Sequence, residues 1–457
     1  MIRGTRSQNM RHPRRVFVLP PAVLLVIYAM ASVAPLALAA HSATREEAFW
    51  RELCIGIGLV AFAMLLLQFV LSGRLETLSG RMGIDLTMRW HQLAARTLAI
   101  LVILHPLLLV ASSDRHNFGS ALRQLVALFT APAYASGVAA WFILLALILA
   151  GLLRRRIPIP YEAWRLTHAL AGVIAAALTS HHAFRVGLYS NDPALARYWY
   201  VLLGLAMGVF IFIYAVKPLM LRTAPYRLRR NSKVGESVWE IALEPVGRAR
   251  FAFTAGQFAW FSFGRFPWPA FDHPFSIASS PTVLPEVRIL VKESGDFTRT
   301  IGQLPVGARA YIDGPHGNFT LRERYGDSLC LIAGGIGIAP IIGILRDLHA
   351  NRESRPIALI FAARTENELV HREEIDRIAE RLDLRVTYVV EARPDIWEGR
   401  VGILDFAVVR SAVRCARPER CLVFICGPTP MMLAVERHLT RIGVPPGQIV
   451  YERFVYD

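Results

Sequence analysis

Six long apolar segments, all before about residue 220, constrain this chain more than any other feature of its sequence. They run approximately over 16–40, 52–72, 87–111, 133–153, 163–187 and 198–220. Each is close to the roughly 20 residues that an α-helix needs to cross a bilayer. A backbone leaving water must satisfy its own N–H and C=O groups, so a bundle of transmembrane helices is expected. The first segment ends in APLALAA, whose small residues look like a signal-cleavage site. Its apolar run from Val16 to Ala40 is long for a cleaved signal, and it is read as a helix. After Pro225, short strand-like runs and turn residues replace the long segments. At 457 residues the chain needs at least two domains.

The net charge of +16 invites a nucleic-acid reading, but the arginines sit beside the apolar segments. MIRGTRSQNMRHPRR precedes the first, LLRRRIPIP follows the fourth and LRTAPYRLRRNSK follows the sixth. That is the positive-inside pattern of a membrane protein, and no nucleic-acid partner is expected. It predicts a multi-pass protein of the inner (plasma) membrane with its N-terminus and C-terminal half in the cytoplasm. The outer loops would be 41–51, 112–132 and 188–197, the second holding an interfacial helix at SALRQLVALFTAP. The five cysteines show no CxxC and no zinc-type spacing, which argues against a disulfide framework or a structural zinc.

In the C-terminal half, SVWEIALEPV, FAWFSF, VRILVKES and ARAYIDGP predict strands of an antiparallel β-barrel. From about Ser328, strand-like and helix-like runs alternate: LCLIAGG into APIIGILRDLHA, PIALIFAAR into HREEIDRIAERL, and RCLVFICGP into MMLAVERHL. Such alternation predicts a parallel sheet with crossover helices, an α/β nucleotide-binding domain. The expected fold is a multidomain membrane protein: a six-helix bundle over 1–222, a β-barrel over 223–322 and an α/β domain over 323–457.

Five of the thirteen histidines fall within the apolar segments: His91, His105, His168, His181 and His182. A step of fourteen residues, from His91 to His105, turns a helix about 1400°, about 40° short of four full turns, over about 21 Å. The two rings therefore share a face at two depths. His168 and His182 repeat the spacing, and His181 misses it by one residue. Segments three and five run in the same direction, so His91 is level with His168, and His105 with His181 or His182. The helical face favours His182. Two level pairs are the arrangement for two bis-histidine haems, since imidazole is a common axial ligand of iron. Isolated interhelical hydrogen bonds are the plainer explanation for any single histidine, less so for matched pairs.

Glycine-rich AGGIGIAPI, Ala333 to Ile341, follows an apolar strand and opens a helix. Glycines at Gly334, Gly335 and Gly337 let the backbone approach a pyrophosphate, and Pro340 suits a first helical turn. This loop, HPFSIASS (His273 to Ser280), VKESGDFTRTI, DGPHGNF, ICGPTPMM and the terminal YERFVYD occur in an order that resembles the ferric reductase and NADPH oxidase superfamily. The resemblance covers nearly the whole chain from about residue 52. The short loops point to a bacterial member, a flavocytochrome b without regulatory additions.

The resemblance implies FAD, two haems b and NADPH as cofactors. It places His273, Pro274, Phe275 and Ser276 at the flavin, with His273 toward its phosphates, Phe275 on the ring and Ser276 near its reactive nitrogen. Gly295 and Thr298 would meet the pyrophosphate, with charge added by Lys292. Cys426, followed by Gly427 and Pro428, would lie beside the nicotinamide on the hydride path. Phe454, in Glu-x-Phe, would cover the flavin until nicotinamide displaces it. Arg364, at the end of the second α/β strand, is placed to meet a ribose 2′-phosphate. The implied activity is an NAD(P)H-dependent oxidoreductase passing electrons through FAD and the haems to an outer acceptor, oxygen or a ferric chelate. Arg115, His116 and Arg185 lie toward the outer face, where they would attract an anion. No protein acid or base is expected as an essential catalyst. Membrane lipid and NAD(P)H are the expected partners, and no protein partner is required. Two other readings stay open: an electron-transfer subunit that reduces a quinone or protein, and a haem-free flavoprotein merely anchored by its helices.

Overall fold

The computed structural model describes residues 20–42, 49–72, 74, 84–111, 118–247, 251–394, 396–413 and 417–453. Its N-terminal half is a helical bundle: α1 (Pro21–Ser42), α2 (Phe49–Val70), α3 (Ile84–Ala111), α4 (Phe118–Thr130), α5 (Ala135–Leu152), α6 (Tyr161–Val186) and α7 (Pro193–Ile211). Five stretches are long and apolar enough to cross a membrane: Pro21–His41, Phe49–Val70, Leu86–Val110, Pro132–Leu152 and Pro193–Arg222. The remaining long helix, α6, has 26 residues. Its three histidines, with Thr167, Thr179 and Ser180, lower its apolarity, so the residues that give it chemistry separate it from the other five. The short α4 carries the apolar stripe expected of the interfacial segment.

Helix α2 is the axis of the bundle. Leu59, Phe62, Ala63 and Leu66 pack against Ala176, Trp199, Leu202 and Ala206, while Ala61, Met64 and Leu65 meet Leu98, Val102, Leu144 and Ala175. Outward-facing Leu25, Ile27, Met30, Leu93, Ile100, Leu149 and Val201 are exposed. Apolar residues outside as well as inside fit a lipid solvent rather than water, and the chain is a multi-pass membrane protein. Local chemistry sets the helix ends. Asp192 accepts from the backbone N–H of Ala194 at 2.9 Å and Pro193 occupies the first helical position of α7. The prolines of Ile157-Pro158-Ile159-Pro160 separate α5 from α6. Helix α7 widens into a π segment over Phe212–Val216 before α8 (Lys217–Arg222). Pro218, which has no N–H to donate, lies just beyond the widened turn.

Strands β1 (Tyr226–Gly235), β2 (Val238–Pro245), β3 (Phe258–Phe263), β4 (His273–Ser276), β5 (Val287–Lys292) and β6 (Arg309–His316) form an antiparallel sheet of order β4-β3-β6-β1-β2-β5. A bridge between Ile277 and Ile289 joins its two ends. Leu228, Ile241, Leu243, Phe261, Ile289 and Ile312 fill the interior, as alternating apolar residues require. The short helix α9 (Asp296–Thr300) lies between β5 and β6.

The second sheet is parallel: β7 (Ser328–Gly334), β8 (Ile357–Ala363), β9 (Leu384–Val390), β10 (Arg400–Val401), β11 (Cys421–Cys426) and β12 (Ile449–Glu452), ordered β10-β9-β8-β7-β11-β12. Helices α10 (Ile338–Ala350) and α11 (Arg372–Ala379) cover one face, α12 (Phe406–Ala412) and α13 (Thr429–Ile442) the other. All seven residues of β7 are buried, as expected of a central parallel strand. The chain leaves β7 toward β8 and returns to its other side as β11. The gap between the ends of β7 and β11 is therefore the topological switch point, where open α/β sheets bind ligands.

Candidate functional site

Helix α3 carries His91 and His105, and α6 carries His168, His181 and His182. The rings of His91 and His168 face each other with centroids 6.3 Å apart. His105 and His182 line a mostly apolar cavity of about 290 Å³ between α2, α3, α5 and α6, roofed in part by Leu128 and Phe129 of α4. His181, the neighbour in sequence, turns elsewhere: its Nδ1 lies 2.9 Å from Ser136 Oγ on α5. His105 Nδ1 donates to the backbone carbonyl of Cys54, at 2.9 Å. The Nδ1 atoms of His91, His168 and His182 are buried without a hydrogen-bond partner among the described residues. Buried unsatisfied imidazole nitrogens are costly in an apolar bundle and call for an explanation.

Below this pair of histidines the bundle meets the antiparallel sheet across a charged seam. Arg74 grips Asp272 with two donors at 2.6 and 2.7 Å, and Arg165 of α6 joins it at 3.0 Å while also donating to the Pro269 carbonyl. Lys217, beyond the π segment, reaches Asp313 at 2.7 Å. Trp260 of β3 lies under the guanidinium of Arg74 at 4.0 Å. Burial would raise the Asp313 carboxyl, but the His316 hydrogen bond and the charges of Lys217 and Arg74 hold it down at about 2. Removing one partner from such a buried pair costs about 3–5 kcal/mol, so the seam fixes the start of β4 and β6 against the segment after α2, the N-terminal end of α6 and the start of α8.

Of the residues expected at the flavin, His273, Pro274, Phe275 and Ser276 form β4. His273 stacks on Phe297 of α9 at 3.9 Å and points Nε2 at Glu162 of α6, 3.5 Å away. Burial pushes its imidazole below the ordinary histidine value. The ring thus belongs to the seam between bundle and sheet. Ser276 is 3% exposed and its hydroxyl is without a partner among the described residues. Thr298 Oγ1 accepts from the N–H groups of Ser294 and Gly295 at 2.9 and 2.8 Å, which shapes the turn after β5.

The two glycine-containing turns of the α/β sheet come together at the switch point. A Cβ on Gly337 would strike the Cys426 carbonyl carbon at 2.5 Å, and one on Gly334 would lie 2.9 Å from Met431 Cε. These glycines exist so that the β7 and β11 turns can touch. Gly335 differs: its φ is +53° and its side-chain direction is open. Pro340 lies buried in the first turn of α10. Cys426 is fully buried at the end of β11, registered with Ala333 and Glu452, and Gly427 and Pro428 lead into α13. Across the cleft, Lys292 and Arg364 converge on Glu368 at 3.5 and 2.7 Å, with Arg364 69% exposed. Burial would raise the Glu368 carboxyl, but Arg364 and Lys292 hold it below its ordinary value. Arg185 is exposed at the C-terminal end of α6. Phe454, Arg115, His116 and Cys415 lie outside the described residues.

Several site residues had no counterpart in the sequence reasoning. Trp164 lies one turn before His168 and packs against its ring at 5.2 Å, a contact its i, i+4 spacing announces. Cys54, Gly58, Ser136 and Gly137, which surround His105, His181 and His182, come from other helices and carry no local signal.

The chain matches two known families: residues 57–179 the ferric reductase like transmembrane component, and residues 331–437 the oxidoreductase NAD-binding domain. It is 30% identical over 223 residues to the reductase component of propane 2-monooxygenase from Mycolicibacterium smegmatis, covering 47% of this chain and 62% of that one. It is 32% identical over 163 residues to NADH-cytochrome b5 reductase 1 of Laccaria bicolor, covering 35% and 53%. Among solved structures, the ferredoxin reductase in carbazole 1,9a-dioxygenase aligns over 51% of this chain and 69% of that one, at 25% identity and a TM-score of 0.45. The chain spans less than two thirds of the length of the curated relatives named here. The NAD-binding domain and these relatives make the C-terminal half similar to NAD(P)H-dependent oxidoreductases. Joined to a ferric-reductase-like membrane component, it matches the ferric reductase and NADPH oxidase superfamily.

Proposed function

We propose that this protein passes electrons from cytoplasmic NADPH, through FAD and two bis-histidine b-type haems, to oxygen or a ferric chelate on the outer side of the plasma membrane. The division of labour follows the bundle (1–222, six helices with α6 included), an FAD-binding barrel (223–322) and a nicotinamide domain (323–457). The observation that carries the proposal is the pairing of histidines at two levels directly above the flavin-type strand. His91 and His168 face each other with ring centres 6.3 Å apart, a spacing at which both imidazoles would bind one iron. The apolar cavity between His105 and His182 fits the same group. His91 with His168 would hold the inner haem, and His105 with His182 the outer one.

When bound, FAD takes up a two-electron hydride and the haems carry electrons singly. The residues of the chain bind and orient. Gly335 opens the backbone at the switch point to the nicotinamide pyrophosphate, and Cys426 backs the same crevice. Ser276 offers its unpartnered hydroxyl to the flavin, while Phe275 shapes the ring side of β4. Gly295, Thr298 and Lys292 border the flavin pyrophosphate. The seam of Arg74, Asp272, Arg165, Asp313 and Lys217 holds this strand at a fixed distance from His91 and His168.

The test is spectroscopic. Purified protein mixed with NADPH under nitrogen should develop the absorption bands of reduced b-type haem, and unchanged spectra would end the proposal. Oxygen, ferric chelates and a quinone, offered in turn, then sort the acceptors. Coenzyme choice has its own test. Arg364 would meet the 2′-phosphate in competition with Glu368, so Arg364→Ala should lower kcat/KM for NADPH by about 10- to 100-fold, the worth of one charge-assisted hydrogen bond. The value for NADH should change little. Equal losses for both coenzymes would remove Arg364 from the site.

A further inference from the structure

We propose that Gly58 and Gly137 are seats for the two outer imidazoles, and that α2 and α5 thereby select His105 and His182 as the ligands of the outer haem. The proposal rests on the haem assignment above and adds to it the residues that orient the ligands. A Cβ on Gly58 would lie 2.8 Å from His105 Cε1, and one on Gly137 would lie 2.6 Å from His182 Cε1. Neither distance is open to real atoms, so each ring occupies the volume where a side chain would stand. Both glycines lie inside helices, where glycine costs about 1 kcal/mol relative to alanine.

Each seat has a second element on the same helix. Cys54, one turn before Gly58, accepts the His105 Nδ1–H on its carbonyl, which fixes the tautomer and leaves Nε2 as the free electron pair. On α5, Ser136 engages His181 and the adjacent Gly137 admits His182. Helix α5 thus sorts two consecutive histidines, sending one ring into the cavity and one away from it. The inner pair is built differently: among the described residues, no glycine Cβ direction meets His91 or His168. Gly204 on α7, whose Cβ would meet nothing within 4 Å, supplies the matched control.

The experiment compares Gly58→Ala, Gly137→Ala and Gly204→Ala in the full chain. Haem per chain is measured from the pyridine haemochrome, alongside flavin content and anaerobic reduction by NADPH. Gly58→Ala and Gly137→Ala should each fall from two haems to one, the remaining haem still reducible, while Gly204→Ala keeps two. Two haems with unchanged midpoint potentials in both seat variants would overturn the proposal, as would loss of both haems from a variant that retains flavin. A wild-type protein without haem would instead overturn the underlying assignment. Independently of the glycines, His181→Ala should retain two haems and His182→Ala one; the reverse result would overturn the sorting by α5.

Discussion

Replacing His105 with leucine is expected to halve the haem content, from two per chain to one, and to cut electron delivery to outer acceptors by orders of magnitude. Leucine is close to histidine in bulk and suits the apolar lining supplied by Leu59, Phe62, Leu98 and Val102, so the bundle should persist. The change removes a ring that touches Cys54 and Gly58 and nothing of the seam or the lower histidine pair. Reduction of the remaining haem by NADPH should therefore continue, because its supports, Trp164 beside His168 and Gln68 donating to the His91 carbonyl, are intact. The split between retained internal reduction and lost external reduction distinguishes ligand removal from misfolding, which would abolish both. Anaerobic stopped-flow spectra and a redox titration provide the measurement. Two unchanged haem signals would show that His105 is not a ligand.

Much of this arrangement was legible in the sequence because helix periodicity and bilayer thickness are strong constraints. Fourteen residues place two rings on one face of α3, and the facing of His91 and His168 follows from two helices that run in the same direction side by side. The glycine turns were readable because backbone conformation and close approach permit little else, as the positive φ of Gly335 and the crowding around Gly337 demonstrate. Residues that act by long-range contact were not readable. Arg74 and Asp272 stand 198 positions apart, and neither is unusual in its own surroundings. Between His181 and His182 the sequence offered only a helical angle, whereas Ser136, on another helix, engages one of the two rings. The π segment before Lys217 is equally silent in sequence, and so is the meeting of Lys217 with Asp313, 96 positions away. For His273 the motif pointed to a flavin phosphate, and its stacking on Phe297 and its approach to Glu162 were equally silent in sequence.

Gly335→Val should uncouple the two halves of the molecule without dismantling either. At φ +53° a β-branched residue is strained, at a cost of about 1–3 kcal/mol. Nothing lies within 4 Å of the direction its side chain would take, so the packing of β7 on β11, maintained by Gly334 and Gly337, is left in place. The valine instead fills the crevice at the switch point and keeps the coenzyme pyrophosphate from the loop. Loss of two charge-assisted hydrogen bonds of about 1.5 kcal/mol each lowers kcat/KM for NADPH by about 100-fold or more. Haem content should stay at two per chain and dithionite should reduce both, since the bundle and its seam are remote from the change. A variant with normal NADPH turnover would mean that the coenzyme does not bind across Gly335. A variant lacking haem would mean that the α/β domain is needed to assemble the bundle, in conflict with a membrane component whose ligands, cavity and apolar core all come from residues before α7 ends.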